Sequence, residues 1–329
     1  MISIVGPGGF IGGHLVVSLL RQKQAVRCCF NRSPQRSSWP FEVREASVLD
    51  MSGLTRALSG TDTIINLSSI SRELQSGGFE TFYVSGTKNL VKAAQLVEAK
   101  RIIQLSALST AVATREQSGY LYWKRISAEI LLDSLVPATV IELSPVFGEG
   151  DQHLSFLAFL LRTFHFLPLP GNDVASVTTQ PIWVGDVVSA IRGAISDASV
   201  IGATVPLAGP KKYVVRDLFR AVARVCGVRG AFEVTLSERT TAISFELLRR
   251  LFIYFPLSPA MLAAMRCGSE TESRDGYRLL PAAPSEFADR SEYLQNIRWD
   301  LLAKWRERAR RGFLWDAVEV RDRLNRPAD

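Results

Sequence analysis

The chain has 329 residues, 47% of them hydrophobic and 22% charged, a composition that excludes an intrinsically disordered protein and allows one large α/β domain or two interleaved lobes. Its four cysteines and three histidines have neither metal-ligand nor disulfide spacing, so we expect no metal and a reducing compartment. The formal net charge of +7 suits a membrane surface, an acidic partner, a phosphorylated ligand or solubility alone, and we expect no nucleic-acid partner.

The chain begins with a strand, a glycine-rich turn and a helix. Apolar residues 2–5 predict the strand, Gly6, Gly9 and Gly12 the turn, and a helical pattern covers residues 15–20. In such a unit the first glycine permits a tight turn, the second lets the backbone approach a pyrophosphate, and the third lets the helix pack on the strand. The helix N-terminus then presents free N–H groups to the phosphates. The pattern predicts a dinucleotide site in preference to a purely structural turn.

Strands and helices alternate along the rest of the chain. Strands are predicted at residues 25–30, 41–49, 63–67, 102–105, 138–143 and 204–208. Helices are predicted at residues 54–58, 79–100, 120–132, 215–226, 246–255 and 299–324, with a further helix running from an Asp186 N-cap through Ile195. This order predicts an α/β fold, a doubly wound parallel sheet of Rossmann type. We expect a dinucleotide-binding domain at residues 1–210, with 146–180 contributing to a second lobe, and a smaller helical lobe with an Arg-rich tail at 211–329.

Two segments of the second half raise the question of membrane contact. Residues 251–265 are uncharged but are interrupted by Pro256 and Pro259, and they are too short to cross a bilayer, which takes about 20 apolar residues. They form either a buried core segment or a surface facing lipid or a membrane subunit. The arginine cluster near the C-terminus is either a partner surface or a solvated helix face. Because the first strand begins at residue 2, we expect no signal or transit segment before it.

Tyr120 and Lys124 are the candidate catalytic pair. They are four positions apart on a predicted helix and therefore share one face. An ammonium group beside a phenol favours the phenolate, which can exchange a proton with a carbinol oxygen, and the lysine can also bind a ribose. The pair follows the fifth predicted strand, where a nicotinamide ring would lie.

The end of the second predicted strand indicates which nucleotide is preferred. An NAD site usually has an acidic residue there for the ribose 2′-hydroxyl, whereas this chain has Asn31 and Arg32, with Arg36 nearby. A guanidinium suits a 2′-phosphate, so we predict NADPH in preference to NADH.

The glycine turn and the Tyr-x-x-x-Lys pair resemble those of the short-chain dehydrogenase/reductase superfamily, in its extended and atypical branches. The resemblance covers roughly residues 1–225. It implies that Asp50 lies at the adenine amino group and that active members keep a serine at the position of Leu108. Ser109 would replace that serine only if the loop shifted, so the catalytic set looks incomplete.

One subfamily matches more closely, at residues 84–90, 104–108, 146–148, 180–187 and 207–210. These segments resemble the NADPH-binding accessory subunits of respiratory complex I, the NADH:ubiquinone oxidoreductase. The resemblance implies a subunit that holds NADPH without turnover, contacts other complex I subunits, and lies on the matrix side of the mitochondrial inner membrane. Two alternatives stay open: a bacterial cytoplasmic protein, and a free NADP-dependent reductase, epimerase or dehydratase that uses Tyr120 and Lys124.

The motifs and the resemblance together predict one set of cofactor-binding residues. They are Gly6, Gly9, Phe10, Ile11, Gly12, Asn31, Arg32, Arg36, Asp50, Leu67, Ser68, Ser106, Tyr120, Lys124 and Ser144.

Overall fold

A parallel sheet of seven strands forms the centre of the computed structural model, which describes residues 1–32, 39–73, 75–236, 258–298 and 300–326. The strands are β1 (Ile2–Val5), β2 (Val26–Phe30), β3 (Glu42–Glu45), β4 (Thr63–Asn66), β5 (Arg101–Ala107), β6 (Ala138–Leu143) and β7 (Thr204–Leu207). Their spatial order is β7-β6-β5-β4-β1-β2-β3, and every neighbouring pair is parallel. The order reverses beside β1, which is where open α/β sheets bind ligands. The predicted doubly wound sheet is confirmed.

Helices cover both faces of this sheet. The main helices are α1 (Phe10–Arg21), α2 (Met51–Leu58), α3 (Gly86–Leu96), α4 (Gly119–Leu132), α5 (His153–Phe164), α6 (Val184–Ser196), α7 (Val215–Val225), α8 (Pro259–Arg266), α9 (Leu301–Arg311) and α10 (Ala317–Asn325). One face packs against α1 and α6, and the other against α2, α3 and α4. Adjacent residues such as Ile64 and Ile65 belong to the cores on opposite faces. Because both faces are covered, the central strands read as continuous apolar runs.

A second lobe is built from three short strand pairs and two helices. Val146–Phe147 pairs with Ile182–Trp183, Thr178–Thr179 with Tyr213–Val214, and Phe166–Pro170 with Phe232–Leu236. The core of this lobe contains Phe147, Leu161, Val222 and Phe287. Side chains of α5 and α7 pack together in this core. The division of the chain at residue 210 stays a prediction.

Two helix boundaries differ from the sequence predictions. The prediction that Asp186 caps a helix is wrong: α6 begins at Val184, and the Asp186 carboxylate accepts a hydrogen bond from the backbone N–H of Ser285 at 2.8 Å. The single helix predicted over residues 299–324 is also wrong, because α9 ends at Gly312, which has a φ of +74°. The left-handed backbone at this glycine turns the chain before α10 starts.

The remaining boundary differences are smaller. The third strand covers only Glu42–Glu45 of the predicted 41–49, and the long helix predicted over 79–100 begins with a short turn and a π-helical segment, Thr81–Ser85, before α3. The predicted helix 246–255 lies outside the described residues. Of the uncharged stretch 251–265, the structure describes residues 258–265, in which Ser258 is buried and no residue of α8 is.

Two further properties concern only the described part of the chain. No helix in it has the length and apolar character needed to cross a membrane. No cluster of three or more His, Cys, Asp or Glu side chains suited to a metal ion occurs in it either.

Candidate nucleotide-binding site

The glycine turn after β1 combines close packing with one open position. Gly6 has a φ of +76°, and a Cβ there would lie 2.8 Å from the backbone nitrogen of Ser68. A side chain at Gly12 would collide with the carbonyl oxygen of Pro7. In contrast, a Cβ at Gly9 would meet no atom within 4 Å. The first and third glycines therefore shape the turn, and the second leaves its backbone accessible to a ligand.

Helix α1 starts at this open position without a side-chain cap. Gly9 is its N-cap residue, Phe10 and Ile11 open its first turn, and this turn contains no acidic residue. The first N–H groups of a helix have no partner within the helix, and the helix dipole places positive potential on them. This end of α1 therefore fits an anionic group such as a pyrophosphate.

The residues predicted to contact the adenosine half lie at the ends of β2 and β3. Asn31 and Arg32 follow β2 and are exposed, whereas Arg36 lies outside the described residues. Asp50 caps α2: its Oδ1 accepts hydrogen bonds from the Gly53 N–H at 3.0 Å and from the Ser52 hydroxyl at 2.9 Å. These bonds lower the pKa of Asp50 and keep its carboxylate ionised. The sequence did not predict that Asp50 caps a helix. The second oxygen of its carboxylate, Oδ2, takes part in neither of these two bonds.

Two serines with buried hydroxyl groups lie near the ends of β5 and β6. Ser106 lies on β5 and Ser144 directly after β6, with 5% and 2% of their surfaces exposed. Neither hydroxyl has a hydrogen-bond partner in the structure. Buried polar groups are almost always hydrogen-bonded, so each of these hydroxyls is available to a ligand or to a water molecule. Both residues belong to the predicted set, and their condition fits a bound nucleotide.

Helix α4 brings the predicted catalytic pair together. Ser118 caps this helix by accepting a hydrogen bond from the Leu121 N–H at 3.3 Å. Lys124 is 8% exposed, and its Nζ lies 5.5 Å from the centre of the Tyr120 ring. The predicted Tyr–Lys proximity is therefore present in the structure.

Tyr83 is a third member of this group that sequence reasoning missed. It lies in the π-helical segment, and its ring centre is 6.2 Å from that of Tyr120 and 6.0 Å from the Nζ of Lys124. Its hydroxyl donates to the Ile70 carbonyl at 2.7 Å. Burial, and next the neighbouring phenol of Tyr120, raise the pKa of Tyr83 well above its usual value, so this phenol stays neutral. No sequence signal predicts a π-helical segment that would bring it here.

A chain of buried hydrogen bonds connects β4 and β5 to α4, the helix that carries the Tyr–Lys pair. Ser68, after β4, donates to Asn66 Oδ1, and Asn66 Nδ2 donates to Gln104 Oε1 at 2.8 Å. Gln104 Nε2 donates to Ser127 Oγ at 3.0 Å, and Ser127 Oγ lies 2.7 Å from Thr87 Oγ1. Leu67, between the first two members, packs against the core on the opposite face. The network fixes the helix with the Tyr–Lys pair relative to two strands.

The loop after β5 uses its hydroxyl groups for other contacts. Leu108 begins a short 3₁₀ turn, and Ser109 next to it donates its hydroxyl to the carbonyl of Gly268. Thr110 donates to Glu142 Oε1 at 2.6 Å. Burial raises the pKa of Glu142, although the bond from Thr110 opposes this change. Neither hydroxyl in this loop is free in the structure to bind a substrate oxygen beside Tyr120.

A segment from the second half of the chain lies over this loop. Ser258 donates to the carbonyl of Ser71 at 2.6 Å, and α8, which it caps, packs against α4. The Thr271 N–H donates to Gln180 Oε1 at 3.0 Å. Residues 258–271 are therefore bonded to both lobes.

Comparisons with known proteins agree with this geometry. Residues 6–153 match the family model described as NAD(P)H-binding. The curated relatives include the mitochondrial protein named NADH dehydrogenase (ubiquinone) 1 alpha subcomplex subunit 9 from Arabidopsis thaliana, 26% identical over 66% of this chain and 55% of that protein. The protein of the same name from Rattus norvegicus is 26% identical over 78% of this chain and 68% of its own length. The match thus covers little more than half of the plant relative.

Solved structures show the same fold at low sequence identity. A dTDP-glucose 4,6-dehydratase double mutant from Streptomyces venezuelae, solved with NAD bound, has a TM-score of 0.73 and 16% identity over 92% of this chain and 97% of its own. A nucleoside-diphosphate-sugar epimerase from Staphylococcus aureus has a TM-score of 0.69 and 18% identity over 89% and 99%. The chain therefore has a Rossmann-like NAD(P)-binding fold, which it shares with these solved structures.

Proposed function

We propose that this protein is a non-catalytic, NADPH-holding accessory subunit of respiratory complex I, and that the nucleotide supports the assembly and stability of the complex. The observation that carries the proposal is a contrast between the two parts of the site. The nucleotide part has an open glycine turn and unpaired hydroxyls at Ser106 and Ser144. In the reaction part, Leu108 stands where the resemblance to short-chain dehydrogenases implies that active members keep a serine, and the Ser109 hydroxyl is bonded to Gly268.

The names of two relatives support the same assignment. The relatives from plant and rat carry the name of a mitochondrial NADH dehydrogenase subunit. A ligand that binds only the folded state stabilises it by RT ln(1 + [L]/Kd), about 4 kcal/mol at a thousandfold excess over Kd. A bound nucleotide can therefore act as a structural element of a subunit without being consumed.

The proposed residues divide the nucleotide between them. Gly6 and Gly9 would hold the pyrophosphate with Phe10 and Ile11 of α1, and Arg32 would pair with a 2′-phosphate. Tyr120 and Lys124 would hold the nicotinamide ribose. NADPH is preferred over NADH because no acidic residue follows β2 to bind a free 2′-hydroxyl.

The Arg32 assignment has a direct test. Arg32→Ala should weaken NADPH binding by about tenfold and leave NADH binding within about twofold, because it removes a charge-assisted bond to the 2′-phosphate. Arg44→Ala is the matched control, since Arg44 is an exposed arginine on the neighbouring strand paired with Glu42. Equal loss of both nucleotides, or no loss, contradicts the NADPH preference.

The assembly role is tested in gently solubilised membranes. Native-gel separation with mass spectrometry locates this chain and the nucleotide that accompanies it. Comigration with NADH dehydrogenase subunits supports the proposed partners and a peripheral position on the matrix side of the mitochondrial inner membrane. Migration as a soluble monomer or dimer contradicts it and favours a free enzyme that uses Tyr120 and Lys124.

The alternative is a free NADP-dependent reductase, epimerase or dehydratase. The 5.5 Å approach of Lys124 Nζ to the Tyr120 ring favours it, since this pair would move a proton at the substrate oxygen while the nucleotide supplies or accepts a hydride. In that case Tyr120→Phe would abolish turnover, whereas Tyr122→Phe, on the same helix, would not. If neither variant changes the redox state of the bound nucleotide, the alternative loses its support.

A further inference from the structure

The segment between α9 and α10 crosses the glycine turn from outside. We call residues 308–323 the strap. Gly312 ends α9 in the left-handed conformation, and Asp316 starts α10 with a capping box in which it exchanges hydrogen bonds with Glu319. Both helix ends are therefore defined by local chemistry, and the residues between them are held in one path.

The strap lies in van der Waals contact with the turn and with α1. A side chain at Gly8 would collide with the carbonyl oxygen of Gly312. A Cβ at Gly13 would lie 2.7 Å from the Cβ of Leu314, and one at Gly150 would lie 2.8 Å from a methyl group of the same leucine. Gly8 and Gly13 are not needed for a pyrophosphate contact, and the strap explains why they have no side chain.

Phe313 connects the strap to the loop that carries Arg32. It is fully buried, and its ring centre lies 5.9 Å from that of Phe30, the last residue of β2. On the other side of the loop, the rings of Trp39 and Phe41 lie 5.3 Å and 5.6 Å from it. One side chain therefore packs against aromatic residues that precede and follow Arg32 in the sequence.

Charged groups secure the strap at its two ends. Arg308 Nη1 donates to the carbonyl of Gly150 at 3.1 Å. Arg323 pairs with the Glu149 carboxylate, and its guanidinium lies 3.9 Å from the ring centre of Trp315. These contacts join the strap to the loop before α5, a second segment at the carboxyl edge of the sheet.

From these contacts we propose that the strap is a positioning element of the nucleotide site: its docking holds the glycine turn and the end of β2, next to Arg32, in the binding conformation, so docking and nucleotide affinity are linked. The inference rests on the nucleotide binding of the proposed function. The strap residues act through Gly8 and Phe30. Because linkage between two binding equilibria is reciprocal, the bound nucleotide must in turn hold the strap in place.

The first test compares two strap variants of the full chain. Phe313→Ala removes the side chain between the two ends of the loop and should raise the Kd for NADPH by about tenfold or more. Val318→Ala is the control, because Val318 belongs to the strap but is 64% exposed, and its Kd should stay within about twofold of the unmodified protein. Circular dichroism establishes that each variant is folded. A folded Phe313→Ala protein with an unchanged Kd overturns the proposal.

The second test uses the unmodified protein, so it stands even if Phe313→Ala does not fold. Hydrogen exchange is measured by mass spectrometry with and without saturating NADPH. Exchange in residues 312–316 should slow by about tenfold with the nucleotide, while exchange in α7 of the second lobe changes by less than about twofold. Equal exchange with and without nucleotide in residues 312–316 overturns the strap proposal alone, whereas an unmodified protein that binds no nucleotide overturns both this proposal and the proposed function.

Discussion

Ser144 and Ser127 form a natural pair for testing the site. Both serines are almost fully buried, with 2% and 3% of their surfaces exposed. They differ in their bonds: the Ser144 hydroxyl has no partner, whereas the Ser127 hydroxyl accepts from Gln104 and bonds with Thr87. Substitution of each by alanine therefore separates a hydroxyl kept for a ligand from one kept for the fold.

The two substitutions should change stability in opposite directions. A buried polar group without a partner costs about 1–3 kcal/mol, so Ser144→Ala should raise the free energy of unfolding of the nucleotide-free protein by about 1 kcal/mol. Ser127→Ala leaves the Gln104 amide unpaired and should lower that free energy by about 1–2 kcal/mol. Urea unfolding followed by circular dichroism measures both values.

NADPH binding should weaken when the Ser144 hydroxyl is removed. If the Ser144 hydroxyl bonds the nucleotide, its loss removes about 1 kcal/mol of binding free energy, which raises the Kd for NADPH about fivefold. A Ser144→Ala protein that is destabilised without nucleotide, as expected for Ser127→Ala, would mean that the hydroxyl already has a partner. An unchanged Kd would remove Ser144 from the site.

Three further predictions concern pH and the glycine turn. Burial lowers the pKa of His14 to about 4 from 6.5. The stability that this group contributes above pH 6.5 is therefore lost as the pH falls towards 4, by at most about 3 kcal/mol. In urea unfolding, His14→Gln should make the free energy of unfolding less dependent on pH over this range. Burial raises the pKa of Asp151 to about 6 from 3.8, so its contribution is present below pH 3.8 and lost as the pH rises through 6. Asp151→Asn should remove this loss, and an unchanged slope of stability between about pH 4 and 6 speaks against it. Gly12→Ala should lower the thermal midpoint because its Cβ collides with Pro7, whereas Gly9→Ala should keep the midpoint and lose NADPH affinity; equal midpoints contradict the roles given to the two glycines.

The central sheet was predictable because its information is local. Strands covered on both faces are continuous apolar runs, and the glycine turn has its own spacing. Asp186 shows the limit of local information. As a capping residue type before a helical pattern it suggests an N-cap, but its partner is the N–H of Ser285, distant in sequence. Such a tertiary bond leaves no trace in the residues around Asp186.

The C-terminal region was mispredicted for a different reason. The helical pattern over 299–324 is real, and the signals for its interruption are present as Gly312 and the Asp316-x-x-Glu319 capping box. The arginine-rich composition suggests either a partner surface or a solvated helix face. Instead, Arg311 bonds Glu319 at 3.0 Å, and Phe313 is fully buried. The partners of the tail lie on α1, at the end of β2 and in the loop before α5, and only the folded structure identifies them.

The position of the strap has a consequence for biosynthesis. Arg21 at the end of α1 donates a hydrogen bond to the carbonyl of Arg323, which lies 302 positions later in the chain. At about 5–20 residues per second, the ribosome makes the first βα unit tens of seconds before the segment that packs on it. During that interval the glycine turn lacks its outer support. The glycine turn is therefore synthesised long before the strap that packs against it.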